Sequence, residues 1–116
     1  MPEQTEPEFL TSQRSDIYVL PSPSAGGVFL VQPGTFGLPE DGGMIWIRNV
    51  SGKDVDVTFR PPIGNDVPVR ILRGKTKQFA LAAAPVGFYE YMVDVDLGSG
   101  VKVPAQGGSN PRIVYG

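Results

Sequence analysis

From Asp54 to Arg60 the chain reads Asp-Val-Asp-Val-Thr-Phe-Arg, so Val55, Val57 and Phe59 face one way and Asp54, Asp56, Thr58 and Arg60 the other. Strict alternation of this kind suits a strand with one face on a core, and a helix cannot bury it on one side. The pattern recurs at short intervals. Val69 and Ile71 flank Arg70, Phe79 and Leu81 share a face of Lys77–Leu81, and Tyr89, Tyr91, Val93 and Val95 share a face of Gly87–Val95. Apolar runs at 16–20, 28–31, 44–50, 101–103 and 112–115 complete a set of short candidate strands. Gly and Pro divide them, 15 and 12 among 116 residues. Both break helices, so loops are expected at 21–27 and 33–43. The one helix-compatible stretch, Ala80–Ala84, is stopped by Pro85. Closely spaced short strands between such turns predict an antiparallel sandwich or barrel.

The length suits one domain. Residues 1–15, with Glu3, Glu6 and Glu8 ahead of Arg14, are expected to form a flexible tail, and 16–116 the domain. Their start, Met-Pro-Glu-Gln-Thr, lacks the basic and apolar regions of a signal peptide, which predicts a cytoplasmic protein. No apolar run approaches the ~20 residues that span a bilayer, so no membrane partner is expected. Ten basic residues meet 12 acidic ones, a balance that argues against nucleic acid, whose binding rests on phosphate neutralisation.

Chemistry is bounded by absence. The chain has neither His nor Cys. That excludes a Cys/His zinc site, disulfides, a catalytic Cys, a Ser-His triad and a blue-copper centre. Asp, Glu, Lys, Tyr and Ser remain, with no evident acid–base pair among them, so no catalytic residue and no cofactor is expected. Gly74-Lys75-Thr76 copies the end of a phosphate-binding loop, but Val69 stands where the earlier Gly belongs and no helix follows, so it reads as a hairpin turn. Asp94 and Asp96 before Gly98-Ser99-Gly100 resemble the opening of a calcium loop without its third acidic position or closing Glu. They read as a solvated strand face. Asn49-Val50-Ser51 fits a glycosylation pattern and reads as turn chemistry.

Two surfaces remain as candidates. Arg70, Arg73, Lys75 and Lys77 form the one basic cluster, either a patch for an acidic partner or a charged hairpin that guards an edge. If Ile45, Ile47, Tyr89, Tyr91 and Val93 point inward, then Met44, Trp46, Phe88 and Met92 point outward. Those four are either a partner surface or are covered by residues 16–31.

From Ile45 onward the chain resembles the cupredoxin-like family, the plastocyanin and azurin type of Greek-key sandwich. Ile45, Ile47 and Asn49 resemble its strand ending in Asn, followed by a turn and the Val55-Val57-Phe59 strand. Ile71, Gly74, Phe79 and Leu81 resemble its next segment, and Gly87, Tyr89 and Tyr91 its aromatic strand. Asn110–Tyr115 is similar to its terminal strand. The resemblance covers residues 44–116 and implies a sandwich of about seven or eight strands, with an immunoglobulin-like sandwich as the alternative. It puts the family's Cys ligand at about Val93 and its His ligands near Lys53–Val55 and Asp96–Gly98, so copper binding is not implied. The expectation is a metal-free, non-catalytic structural or protein-interaction module, bound to a protein partner or to itself. The alternative is a small-ligand or carbohydrate-binding module, whose loops at 61–67 and 97–108 carry no aromatic residue for stacking.

Overall fold

A computed structural model of the chain describes residues 15–22, 28–106 and 110–116. The tail expected at 1–15, apart from Ser15, the loop centre at 23–27 and residues 107–109 lie outside the described residues. The described residues form ten strands: β1 (Ile17–Leu20), β2 (Leu30–Gln32), β3 (Thr35–Leu38), β4 (Gly43–Asn49), β5 (Val55–Phe59), β6 (Val69–Ile71), β7 (Thr76–Leu81), β8 (Gly87–Gly98), β9 (Val101–Pro104) and β10 (Arg112–Tyr115). Among the described residues there is no helix.

The strands make two sheets, in the orders β2-β1-β4-β7 and β3-β10-β8-β5-β6, with β9 also on β8. β8 is long enough to serve three neighbours. β5 takes one edge at 91–95, while β10 at 87–90 and β9 at 94–98 follow one another along the other. Most ladders are antiparallel, as expected, but β1 runs parallel to β4 and β3 parallel to β10. Ten strands exceed the seven or eight that the resemblance implied, and β3 alone lies outside the candidate runs. β3 lies in the Gly/Pro stretch that reads as a loop. It forms because β10 offers it a free edge and because Phe36 and Leu38 pack on the core.

The alternation works as the residues dictate. Ile45 and Ile47 from the first sheet, and Val55, Val57, Tyr91, Val93 and Val95 from the second, are 2% exposed or less. Each such side chain contributes about 1.5–3 kcal/mol by leaving water. Phe59 and Phe79 meet edge to face across the sheets at 5.2 Å, and Tyr91 stacks on Phe59 at 4.7 Å. β5 is buried on both faces, Asp56 and Thr58 included, because it lies inside its sheet and its outer face is covered.

One inward position of β4 is polar. Asn49 is fully buried. Its amide donates to the carbonyls of Lys53 (2.6 Å) and Ile71 (2.9 Å), and its Oδ1 accepts from the Ser51 N–H (3.0 Å) and hydroxyl (2.7 Å). Its backbone N–H donates to Lys75 and its carbonyl accepts from Gly74. A buried amide costs stability unless its bonds are made, and these tie β4 to the 51–53 turn, to β6 and to the 72–75 turn. This is the turn chemistry read from Asn49-Val50-Ser51.

Candidate interaction surface

The candidate residues sort by sheet and by end. Met44 and Trp46 lie on the outer face of the first sheet, beside Ala80 and Gln78 of β7. Met44 is 49% exposed and Trp46 is half-buried. Phe88 and Met92 lie on the outer face of the second sheet, Phe88 67% exposed and Met92 half-buried. Parity thus holds for all four, but the two pairs sit on opposite sides of the sandwich and form no single patch. The described part of 16–31 does not cover them: β1 and β2 continue the first sheet beside β4.

Beside Phe88 lie apolar residues and one cation. Val114 of β10 is its cross-strand partner, and Gly37 of β3 is the next residue along that row. The Arg112 guanidinium lies over the Phe88 ring at 5.6 Å. Val86, just before the strand, is also strongly exposed.

The other end of the same face is ionic. Arg70 on β6 reaches Asp56 (3.1 Å), Asp96 (2.9 Å) and Asp54 (3.8 Å), and Lys102 on β9 reaches Asp56 (2.8 Å). Asp56 is largely buried, and the Arg70 guanidinium holds its carboxyl below the usual aspartate range against the opposing effect of burial, with Lys102 adding to it. The Gly98 N–H, then Arg70, lowers Asp96. Asp56 raises Lys102 in return, and Asp56 then Asp96 raise Arg70. Asp56 is braced between two cations, and Asp96, read from sequence with Asp94 as part of a solvated strand face, is held by Arg70 and the Gly98 N–H.

The basic cluster does not assemble as a hairpin. Arg70 belongs to β6 in the second sheet and Lys77 to β7 in the first. The chain crosses between the sheets through the turn at 72–75, where Gly74 has φ +78° and Lys75 N–H donates to the Leu72 carbonyl. Gly74 suits that left-handed conformation, which is the turn's whole demand on it. Arg70 is already occupied by carboxylates, and the Arg73 backbone N–H donates to Asp54.

A polar hollow of about 370 Å³, lined by Gly52, Lys53, Asp54, Arg73, Asp96, Leu97 and Gly98, lies at this ionic end. It coincides with the positions to which the family resemblance assigns His ligands. The residues there do not fit a copper centre. Val93 is a buried aliphatic side chain, the Asp96 carboxylate is held by Arg70 and Gly98, and the remaining donors are lysine and arginine cations and Asp54. Among the described residues no group of three or more His, Cys, Asp or Glu is arranged to hold a metal ion, the Asp94–Asp96 pair included.

A second cavity, of about 340 Å³, opens between the sheets beside β6 and β7. Phe59, Ile63, Val67, Phe79 and Leu81 line it, with Asn65 among them. It escapes sequence reading because its aromatic lining comes from two strands and not from the 61–67 loop. Behind its Phe59 wall the Tyr91 hydroxyl is buried without a hydrogen-bond partner, and burial pushes its pKa up.

No protein-family model matches the chain, and no curated protein does. Among solved structures it is similar to the novel purple cupredoxin from Nitrosopumilus maritimus, with a TM-score of 0.53 and 11% identity over 88% of this chain and 99% of that one. The likeness reaches beyond residues 44–116. The fold is therefore a cupredoxin-like β-sandwich, as the resemblance implied, and the immunoglobulin-like alternative is set aside.

Proposed function

We propose that the chain is a non-catalytic protein-interaction module on a metal-free cupredoxin-like sandwich, working through the apolar end of its second sheet. The observation that carries this is Phe88. A phenylalanine 67% exposed, on a regular strand beside Val114 and Val86, leaves apolar area in water that a partner would cover. The non-catalytic part is supported by Asp54, Asp56 and Asp96, whose carboxylates are committed to ion pairs and backbone bonds.

Capture of the tagged chain from its native cells tests the reading. The wild type is expected to bring down a stable assembly, Phe88→Glu to lose it with the fold intact, and Trp46→Glu to keep it. A Phe88→Glu chain that still holds the assembly overturns this choice of surface.

The cavity between β6 and β7 favours a second reading, a site for a small apolar ligand. Binding of a small aromatic probe that shifts the NMR signals of Phe59 and Phe79, in a chain that captures no protein, would favour it over the first.

A further inference from the structure

The chain enters β1 beside Trp46. The Asp16 N–H donates to the Trp46 carbonyl (3.0 Å), and the Trp46 N–H donates to the Asp16 carboxylate (3.3 Å). β1 runs parallel to β4, with Ile17 level with Ile47. The way back along the chain from Asp16 is therefore also the way from Trp46 to Met44. Ile17, Val19, Ile45 and Ile47 are fully buried, so Tyr18, Met44 and Trp46 face outward here. On β7, Gln78 lies across from Trp46 and Ala80 across from Met44. Ala80 is too short to flank Met44, which is 49% exposed.

Residues 1–14 match this face in composition, charge and reach. Phe9 and Leu10 are their one adjacent pair of large apolar side chains, and Glu3, Glu6 and Glu8 outnumber Arg14. β4 and β7 carry Arg48 and Lys77 and no carboxylate, and the turn that feeds β7 adds Lys75. Glu40 and Asp41 precede β4, beyond Met44, so the cations gather at the other end of the sheet. Glutamates are thereby drawn back past Trp46, away from the point where the chain leaves β1. The opposite face has no such bias, since Arg112 of β10 has Glu90 across from it on β8. Phe9 stands seven residues before Asp16, which allows it up to ~25 Å of extended chain. Met44 lies only ~7 Å along β4 from Trp46, so the span leaves slack for a turn. A tether this short holds its segment at an effective concentration in the millimolar range, and a contact too weak to join separate molecules is made within one.

We propose that residues 1–14 fold back across the outer face of the first sheet, Phe9 and Leu10 seated on Met44 and Trp46 and the glutamates drawn toward Arg48, Lys75 and Lys77. One face of the sandwich is then covered by the chain itself, and the Phe88 face is left for a partner. The proposal goes beyond the interaction reading and does not rest on it.

Trp46 is the chain's only tryptophan, so its fluorescence reports on this face. In the full chain, Phe9→Ser with Leu10→Ser is expected to raise the acrylamide quenching constant of Trp46 roughly twofold, as the tethered contact is lost. Its emission should move to the red, with circular dichroism unchanged. The wild-type quenching constant should not vary with protein concentration, because the contact lies within one chain. A nitroxide supplies position. The chain has no Cys, so Thr11→Cys carries a single label. The label is expected to broaden the Met44 methyl and Trp46 indole signals and to spare the Phe88 ring. Equal quenching in the wild type and the double variant overturns the proposal, and so does broadening centred on Phe88. Quenching that falls as wild-type protein is added overturns it in favour of a second copy on this face. The interaction reading fails by a different result, a Phe88→Glu chain that still holds its assembly, which leaves Trp46 quenching untouched.

Discussion

The two ends of the sandwich differ in their polar groups more than in their apolar ones. At one end the Asn49 amide, the Lys53 carbonyl and the Asp54 and Asp96 carboxylates are all answered by other parts of the chain. Large apolar side chains stand in water at both ends, Leu72, Leu97 and Val101 at this one and Met44, Val86 and the most exposed, Phe88, at the other. The first is also where the cupredoxin resemblance would put a metal. Side-chain bonds bind that end together with residues unsuited to copper, while the most exposed aromatic side chain, Phe88, stands at the other. The contrast teaches that stability and recognition are housed apart, and it can be broken by substitution at either end.

The largest effect is expected at Asn49. Asn49→Ala removes the side-chain partners of the Ile71 carbonyl and the Ser51 N–H, while the Ser51 hydroxyl and the Lys53 carbonyl lose one bond each and keep the one between them. Four bonds go at once in and beside the core, so a loss of about 3 kcal/mol is expected. The urea midpoint measures it. A loss below about 1 kcal/mol would mean that water replaces these bonds readily, and that this end is not braced as described.

Next comes the ionic row. Asp56→Ala leaves Arg70 and Lys102 without their shared carboxylate. Both cations are well exposed and regain water, so about 1 kcal/mol is expected. Acid should do the same more gradually. The folded-state pKa values of Asp56 and Asp96 are depressed, so their contribution is present above the unfolded aspartate value and is lost as pH falls through the lower folded values. Wild-type stability should therefore decline as pH drops below about 4, and less steeply in Asp56→Ala. Parallel acid titrations of the two chains would contradict the pairing.

Much of this contrast is legible from residue order, and the rest is not, for physical reasons. Alternation placed Val55, Val57, Tyr91 and Val93 inward and Met44, Trp46, Phe88 and Met92 outward, because side-chain direction is a local property of a strand. Asn49 carried its own signal, a polar residue in register with Ile45 and Ile47. Which sheet a strand joins is not local. Hence the split of the four outward residues between opposite faces, and of Arg70 and Lys77 between sheets, appears only in three dimensions. β3 is a strand by virtue of β10, more than seventy positions away.

The smallest effect on the monomer is expected at Phe88, and this sharpens the contrast most. Its ring is mostly in water, so Phe88→Ser removes little buried area and should change the stability of the dilute chain by no more than about 0.5 kcal/mol. Capture from native cells should then separate the two chains. Association that occurs only in the folded state stabilises it by mass action, so the thermal midpoint of the wild type recovered with its assembly should exceed that of the dilute chain, while Phe88→Ser shows no such gain. Equal gains would show that association uses another surface. A large loss in the dilute variant would show instead that Phe88 supports the core, and that the apolar end, like the polar one, serves mainly to hold the fold.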